Sequence, residues 1–264
     1  MKERIDVILV KKGICTSRER AKELVKAGYI SVNGKAALKA SEIYDDAVEI
    51  TAAGETLKYV GRGGLKLEKA IADFSLDISG EICADIGAST GGFTDCMLQN
   101  GAKKVYAVDV GHGQLSQKLR NDNRVISLEG VNARYLTADV IPEKLGFISV
   151  DISFISIRLV LPALLNLLAI NGKIVSLIKP QFEVGRSNIG KNGIVKSEKT
   201  HASLLYELSA FFEGLELSIE KLTFFPIKGS DGNTEYLALL SKTDYNRSRA
   251  AFDFKELVHL ALNN

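Results

Sequence analysis

Short apolar runs alternate with amphipathic stretches from about residue 80 onward. The apolar runs have the length of buried strands, and they cover residues 82–86, 104–108, 125–128, 147–151, 174–178, 222–225 and 236–240. Helical patterns lie near residues 65–74, 93–100, 157–170 and 198–212. This alternation predicts an α/β fold with a mostly parallel, doubly wound, Rossmann-like sheet and helices on both faces. The short connection between the last two strands predicts an antiparallel pair at the sheet edge.

The first fifty residues follow a different pattern. Residues 16–19 read Thr-Ser-Arg-Glu, a capping box that begins a helix, and Gly28 is suited to end it. Residues 29–32 then alternate like a strand and run into Asn33-Gly34, a strong hairpin signal. The pattern predicts two short helices followed by a hairpin.

A glycine-containing stretch separates these two patterns. Residues 51–64 hold four glycines among short polar segments. We therefore expect a small N-terminal domain over residues 1–58, a linker over 59–64 and a larger domain over 65–264. A length of 264 residues fits a small domain joined to a medium one.

Composition excludes several classes of protein. A hydrophobic fraction of 46% with 25% charged residues is typical of a soluble globular chain rather than a disordered or fibrous one. The longest apolar run, residues 159–170, is much shorter than the roughly 20 residues that a bilayer span needs. Three dispersed cysteines and three isolated histidines suggest neither disulfides nor a metal site. We expect a cytoplasmic protein without membrane association or bound metal.

Positive charge is concentrated near the N-terminus. Residues 1–40 hold ten Lys or Arg against four Asp or Glu, whereas the whole chain has a net charge of only +2. On the predicted helix, Arg18, Lys22 and Lys26 recur every four residues and form one basic stripe. Such a stripe is typical of a module that binds nucleic-acid phosphates, although a solvated helix face is the alternative.

The same segment resembles the S4 RNA-binding domain over about residues 2–50. The resemblance rests on Ser17, Arg18, Ala21, Leu24, Val25, Gly28, Ile30, Val32, Asn33 and Gly34. It implies an RNA partner that lies on the basic helix. To the basic stripe we add further candidate RNA-binding residues, namely Arg4, Arg20, Arg62, Arg134 and Arg186.

A glycine-rich loop follows the first strand of the predicted sheet. Residues 85–95 read DIGASTGGFTD, which is neither the G-x-G-x-x-G fingerprint nor a P-loop. Asp85 and Asp109 end neighbouring strands, and carboxylates there suit a ligand with a ribose diol and a cationic group. S-adenosylmethionine carries both groups and is the predicted cofactor, although a purely structural turn is the alternative. The candidate cofactor residues are Asp85, Gly87, Ala88, Ser89, Gly91, Asp109 and Val110.

Two charged residues end other apolar strands. Asp151 lies in SVDISFI and Lys179 lies in LIKPQFE. Because an unpaired ammonium at the end of an apolar strand is costly, Lys179 needs a partner, and Asp151 is the natural one. The pair is either catalytic or a structural ion pair.

Together with the segment YVGRGGLKL at residues 59–67, these blocks resemble the hemolysin A (TlyA) family of ribosomal RNA 2′-O-methyltransferases. Gly61 stands where that family leads us to expect serine. The resemblance implies S-adenosylmethionine-dependent methylation of a ribose in ribosomal RNA, of a cytidine, on ribosomal subunits. It places a catalytic tetrad on Lys66, Asp151, Lys179 and Glu235, with Lys179 as the general base. An RNA-binding protein without this activity and a membrane-active hemolysin are the alternatives.

Overall fold

The chain divides into two units, Met1–Lys58 and Tyr59–Asn264, called here the N-terminal and the C-terminal unit. The computed structural model describes residues 2–15, 17–26, 30–52, 58–61, 63–226, 232–242 and 252–263, without the side chains of residues 20, 23, 26, 36 and 191. Residues 59–64, which the sequence assigns to a linker, fall within the C-terminal unit, where Tyr59 is buried.

The N-terminal unit packs two short helices against small sheets. Its elements are β1 (Lys2–Arg4), α1 (Ile5–Lys11), α2 (Arg18–Lys26), β2 (Ile30–Val32), β3 (Lys35–Ala36), β4 (Ile43–Asp45) and β5 (Ile50–Ala52). Asn33 and Gly34 both adopt positive φ, as the turn of the β2–β3 hairpin requires. The predicted helix, helix and hairpin are present, and two further pairings, β1 with β4 and β2 with β5, complete the unit.

The C-terminal unit is built on a seven-stranded sheet. Its strands are β6 (Ile82–Ile86), β7 (Lys104–Asp109), β8 (Val125–Glu129), β9 (Leu145–Val150), β10 (Leu168–Ile178), β11 (Leu217–Phe224) and β12 (Tyr236–Lys242). They lie in the order β11-β12-β10-β9-β6-β7-β8. Strands β6 to β10 are parallel, and β12 is antiparallel to both β10 and β11. The predicted α/β sheet with its antiparallel edge is confirmed.

Helices cover this sheet on both sides. They are α3 (Gly63–Phe74), α4 (Gly92–Gln99), α5 (Gln117–Arg120), α6 (Leu161–Leu165), α7 (Pro180–Glu183), α8 (Glu198–Gly214) and α9 (Phe254–Asn263). Successive side chains of β9 serve opposite cores, since Phe147 packs in one cluster with Leu67 and Ile148 packs in the other with Leu208. Among the described residues, the helices are all too short or too polar to traverse a bilayer.

One predicted helix is wrong. Residues 157–170 form a 3₁₀ turn at Ile157–Leu159 and then the five-residue α6, and the chain enters β10 at Leu168. Pro162 lies in the first turn of α6, where proline is tolerated but cannot continue a preceding helix. The apolar run therefore divides between a short helix and the start of a strand, and apolar composition alone does not distinguish the two.

Candidate active site

Two lysines and two carboxylates meet at one edge of the sheet. Lys66 Nζ lies 2.6 Å from Glu235 Oε2 and 4.0 Å from Asp151 Oδ2. Lys179 Nζ lies 2.5 Å from Asp151 Oδ1. None of these four side chains is more than 18% exposed. The structure thus brings together all four residues of the predicted tetrad.

Four different elements deliver these side chains. Lys66 lies in the first turn of α3, and Asp151 and Lys179 directly follow the parallel strands β9 and β10. Glu235 directly precedes β12, and the antiparallel register sets Tyr236 opposite Ile178, the last residue of β10. The start of β12 and the end of β10 therefore coincide in space, which explains why residues so distant in sequence converge.

Further contacts join the segments that follow β9 and β10. Lys179 Nζ donates to Ser153 Oγ at 3.0 Å. The carboxylate of Glu183 accepts from the Ser156 hydroxyl at 2.6 Å and from the Ile157 backbone at 2.8 Å. Burial raises the pKa of Glu183 above its usual range. Sequence reasoning missed Ser153 and Glu183, although both lie in the blocks that carry Asp151 and Lys179.

An exposed aromatic residue stands beside this site. Phe154 is 90% exposed and has a φ of +66°, a conformation that is strained for a bulky residue. Its ring centroid lies 5.2 Å from that of Phe182. The sequence places the two phenylalanines in the blocks that carry Asp151 and Lys179, but their tilted ring contact and the exposure of Phe154 emerge only in the fold.

The predicted cofactor loop leaves β6 and contacts the tetrad. Gly87 has a φ of +87°, and a Cβ there would lie 2.3 Å from the carbonyl oxygen of Asp151. Gly91 has a φ of +96°, and a Cβ there would meet the side chain of Leu119 at 2.2 Å. Glycine suits both positions, so the loop lies close to the backbone of Asp151. Ala88 is buried between these glycines, and Ser89 also has a positive φ.

Asp85 lies beneath this loop. It is 1% exposed, and its Oδ2 accepts from the backbone and hydroxyl of Thr94, at 2.8 and 2.7 Å, in the first turn of α4. The Ser149 hydroxyl donates to its other oxygen at 3.1 Å. Burial raises the pKa of Asp85 to about 6, although these hydrogen bonds act in the opposite direction. Through these hydrogen bonds Asp85 fixes the start of α4 relative to β6 and β9. Its direct contact with a cofactor stays a prediction.

Asp109 occupies a more open position at the end of β7. Its carboxylate is half-buried and accepts from the backbone of Ser89 and of Gly111, each at 2.7 Å. The adjacent Val110 is 70% exposed.

At the end of β8, Glu129 accepts from three backbone N–H groups and from Arg120, and these hydrogen bonds lower its pKa to about 2. Sequence reasoning missed Glu129. Its position beside Asp109 depends on the pairing of β8 with β7, which the sequence does not specify.

The segment before α3 packs against the same loop. The Val60 N–H donates to the buried Asp95 at 2.9 Å. A Cβ at Gly61 would lie 2.7 Å from Thr90 Oγ1, so a side chain at that position requires a shift of the threonine. The glycine found where serine was expected is therefore compatible with a close-packed loop.

In the N-terminal unit, two candidate RNA-binding arginines share one buried acid. Asp6 is 0% exposed, and its carboxylate accepts from Arg4 at 3.0 Å and from Arg18 at 3.2 Å. The guanidinium of Arg4 keeps the pKa of Asp6 below its usual range. Both arginine side chains remain about half exposed. Arg18 thus pairs with Arg4 across Asp6, a partnership that the predicted helical stripe did not include.

The other candidate RNA-binding residues are dispersed. Lys22 is exposed near Glu19, Arg134 is exposed over the ring of Tyr135, and Arg186 is exposed on a 3₁₀ turn. The side chains of Arg20 and Lys26, and all of Arg62, lie outside the described residues. Within the part of the chain that is described, no three His, Cys, Asp or Glu side chains are grouped as metal ligands.

Comparison with known proteins agrees with this architecture. Residues 59–242 match the FtsJ-like methyltransferase family, and residues 3–50 match the S4 domain. The 16S/23S rRNA (cytidine-2′-O)-methyltransferase TlyA of Mycobacterium tuberculosis is 38% identical, covering 98% of this chain and 97% of its own. This chain belongs to the TlyA family of FtsJ-like methyltransferases.

Other members of the TlyA family are still more similar in sequence. YqxC of Bacillus subtilis, named as a candidate rRNA methyltransferase, is 48% identical over 89% of this chain and 84% of its own. A solved structure from Streptococcus thermophilus, described as a candidate hemolysin, is 49% identical, with a TM-score of 0.79. That similarity covers 99% of this chain and 96% of the other, so the whole fold is shared.

The buried position of Asp85 predicts a pH-dependent stability. Because its pKa is raised to about 6 in the fold, the folded state binds a proton more readily than the unfolded state. Stability should therefore fall as pH rises from about 4 to about 6, by up to about 3 kcal/mol from this group. Asp85→Asn should gain stability relative to the original chain over that window. Urea unfolding at pH 4.5, 5.5 and 7 measures this, and a constant difference between the two proteins would contradict it.

Proposed function

We propose that this protein transfers the methyl group of S-adenosylmethionine to a ribose 2′-hydroxyl of ribosomal RNA, at a cytidine. The observation that carries the proposal is the assembled cluster of Lys66, Asp151, Lys179 and Glu235 beside the glycine-rich loop. The Mycobacterium tuberculosis relative, a 16S/23S rRNA (cytidine-2′-O)-methyltransferase, supports both the reaction and the cytidine. An S4 domain on the same chain supports an RNA substrate.

The residues around the loop fit S-adenosylmethionine. The carboxylate of Asp109 is held in place by two backbone N–H groups and retains lone pairs for a ribose diol. Because Gly87 has no side chain, the backbone of the loop lies close to Asp151. The negative charge of Asp151 suits a cationic ligand. Val110 offers an exposed apolar surface beside Asp109 for a base. The cofactor supplies an electrophilic methyl group on a sulfonium.

The tetrad residues then have distinct roles. A hydroxyl is a weak nucleophile until it loses its proton, so the reaction needs a base and a fixed orientation. At rest Lys179 is the ammonium partner of Asp151. For catalysis its Nζ first releases one proton, and the freed lone pair then accepts the proton of the 2′-hydroxyl. Asp151 and Ser153 hold that Nζ in position, at 2.5 and 3.0 Å. Lys66, held by Glu235, donates a hydrogen bond that orients the hydroxyl.

Surface features support binding of an RNA strand near this site and on the N-terminal unit. Phe154, exposed and strained, offers a ring on which a nucleobase can stack. Arg4 and Arg18 present guanidinium groups to solvent while Asp6 orients them. Guanidinium groups of this kind suit phosphate oxygens, which they contact with paired hydrogen bonds.

The cofactor assignment predicts a specific loss on substitution of Asp109. Asp109→Asn removes the charge that accepts hydrogen bonds from a ribose diol, so affinity for S-adenosylmethionine should fall by about 1.5 to 3 kcal/mol. Calorimetry on the full chain measures this. The matched control is Asp122→Asn, a carboxylate in an exposed ion pair with Arg124. Equal affinities in the two variants would remove Asp109 from the site.

The reaction itself predicts a new modification on ribosomes and a dependence on Lys179. Ribosomal subunits from cells that lack this protein should gain 2′-O-methylated cytidine, on one subunit or on both, when incubated with it and S-adenosylmethionine. Lys179→Ala should abolish this transfer and leave cofactor affinity intact. Lys179→Arg should be equally inactive, because guanidinium does not give up its proton near neutral pH.

Two outcomes would contradict this reading. A modification on a base, or none on either subunit, would overturn the proposed reaction. Substantial activity in Lys179→Arg would eliminate the general base, since a structural ion pair with Asp151 tolerates arginine.

The pairing of Arg4 and Arg18 through Asp6 predicts that loss of the negative charge on Asp6 weakens RNA binding. Arg4→Ala and Arg18→Ala should each weaken RNA binding and reduce the slope of log affinity against log salt by about one. Asp6→Asn should also weaken binding, because the arginines lose their anchor, although the change removes a negative charge. Filter binding over a salt series measures this, with Arg124→Ala as control. Tighter binding by Asp6→Asn would show that net charge alone matters.

A further inference from the structure

A continuous set of hydrogen bonds lies directly behind Glu235. Asn233 Oδ1 accepts from the Val195 backbone at 3.0 Å, and Asn233 Nδ2 donates to the Gly193 carbonyl at 2.9 Å. His201 Nε2 lies 3.0 Å from the Val195 carbonyl, and His201 Nδ1 lies 2.7 Å from the Tyr236 hydroxyl. Asn233, two residues before Glu235, therefore bonds directly to Val195. Tyr236, the residue after Glu235, is linked to Val195 through His201.

These polar groups are enclosed by the protein. Asn233, His201 and Tyr236 are each at most 1% exposed. A buried polar network whose members all have partners is rigid, because any displacement leaves a donor or acceptor without a hydrogen bond. The residues on both sides of Glu235 therefore have little freedom to move.

The contacts also define the protonation state of His201. A backbone carbonyl only accepts hydrogen bonds, so Nε2 carries the proton that points to Val195. In the neutral ring Nδ1 has no proton, so it accepts from the hydroxyl of Tyr236. Burial lowers the pKa of His201, which agrees with a neutral ring.

Glu235 lies outside regular secondary structure, directly before β12. Its own carbonyl accepts from the Phe225 backbone, which holds one side of its peptide. Its carboxylate must nevertheless reach Lys66 Nζ at 2.6 Å. The network through Asn233 and Tyr236 supplies the remaining restraint.

We propose that Asn233 and His201 are positioning residues that hold Glu235 against Lys66, an inference that rests on the proposed function. They act through Glu235 and touch neither the base nor the hydroxyl that it deprotonates. The network also makes Val195 and Gly193, at the end of the loop that follows α7, part of the support for the tetrad.

The test removes the His201–Tyr236 link while preserving packing. His201→Phe combined with Tyr236→Phe replaces both partners of this link by apolar rings, so neither ring keeps an unsatisfied polar group, whereas the Val195 carbonyl loses the donor on His201. The kcat for methyl transfer to ribosomal subunits should fall about tenfold or more, because small displacements of catalytic groups have effects of this size. Affinity for S-adenosylmethionine and the KM for subunits should change less than about twofold. The matched control combines His259→Phe with Tyr206→Phe, two partly exposed residues on α9 and α8.

A double-mutant cycle shows whether the effect passes through Glu235. In a Glu235→Gln background, the same pair of substitutions should cause no further loss of kcat, because the residue that they position no longer holds Lys66 by charge. An equal loss in both backgrounds, or an unchanged kcat in the original one, would overturn the positioning role. If Glu235→Gln itself keeps the original kcat, the tetrad of the proposed function fails instead.

A milder variant keeps the proposal testable if the double variant does not fold. Tyr236→Phe removes a single hydroxyl and retains the ring in its core position. It should lower kcat several-fold without changing cofactor affinity, and this loss too should disappear in the Glu235→Gln background. A kcat equal to that of the original chain would refute the link through Tyr236.

Discussion

Charge balance within the cluster of Lys66, Asp151, Lys179 and Glu235 is the constraint on which the site depends. Two ammonium groups and two carboxylates lie largely out of solvent, each cation within 2.6 Å of an anion. Removal of any one member leaves an uncompensated charge in a poorly solvated position, which is strongly unfavourable. The cluster exists because the ends of β9 and β10, the start of β12 and the first turn of α3 all meet at one point.

The glycine-rich loop is bound into the same arrangement. Gly87 approaches the carbonyl of Asp151, and the buried Asp85 holds the first turn of α4 from below. An anion at a helix N-terminus accepts otherwise unsatisfied N–H groups and interacts favourably with the helix dipole. The loop that we assign to the cofactor and the residues that we assign to catalysis are therefore one packed body rather than adjoining parts.

A buried acid also organises cations in the N-terminal unit. Asp6 lies beneath Arg4 and Arg18 and keeps both guanidinium groups at the surface. The carboxylate of Asp6 thus fixes the direction of two guanidinium groups that remain about half exposed. Pre-orientation of this kind reduces the entropy that a flexible side chain loses when it binds a ligand.

The sequence by itself determined the alternation of strands and helices in the C-terminal unit, the helix, helix and hairpin near the N-terminus, and the pairing of Asp151 with Lys179. These features follow from strand periodicity, a capping box, an Asn-Gly turn and charged residues at strand ends. Lys66 and Glu235 were assigned through the family resemblance, and the catalytic role of the tetrad stays a prediction. The sequence misjudged residues 157–170, because an apolar run contains no signal for where α6 ends and β10 begins. It also did not reveal that Asp85 accepts hydrogen bonds from Thr94 and Ser149, because a strand-end acid has the same pattern whether it faces solvent or the interior.

Only the tertiary structure decided the pairings that span long stretches of chain. The partnership of Arg4 with Arg18 through Asp6, the contact of Glu183 with Ser156, and the network behind Glu235 each join residues from separate elements. The strand pairs β1 with β4 and β2 with β5 depend likewise on partners distant in sequence. Such contacts form when packing brings elements into register, and no periodic pattern within one element specifies which distant side chain will meet it.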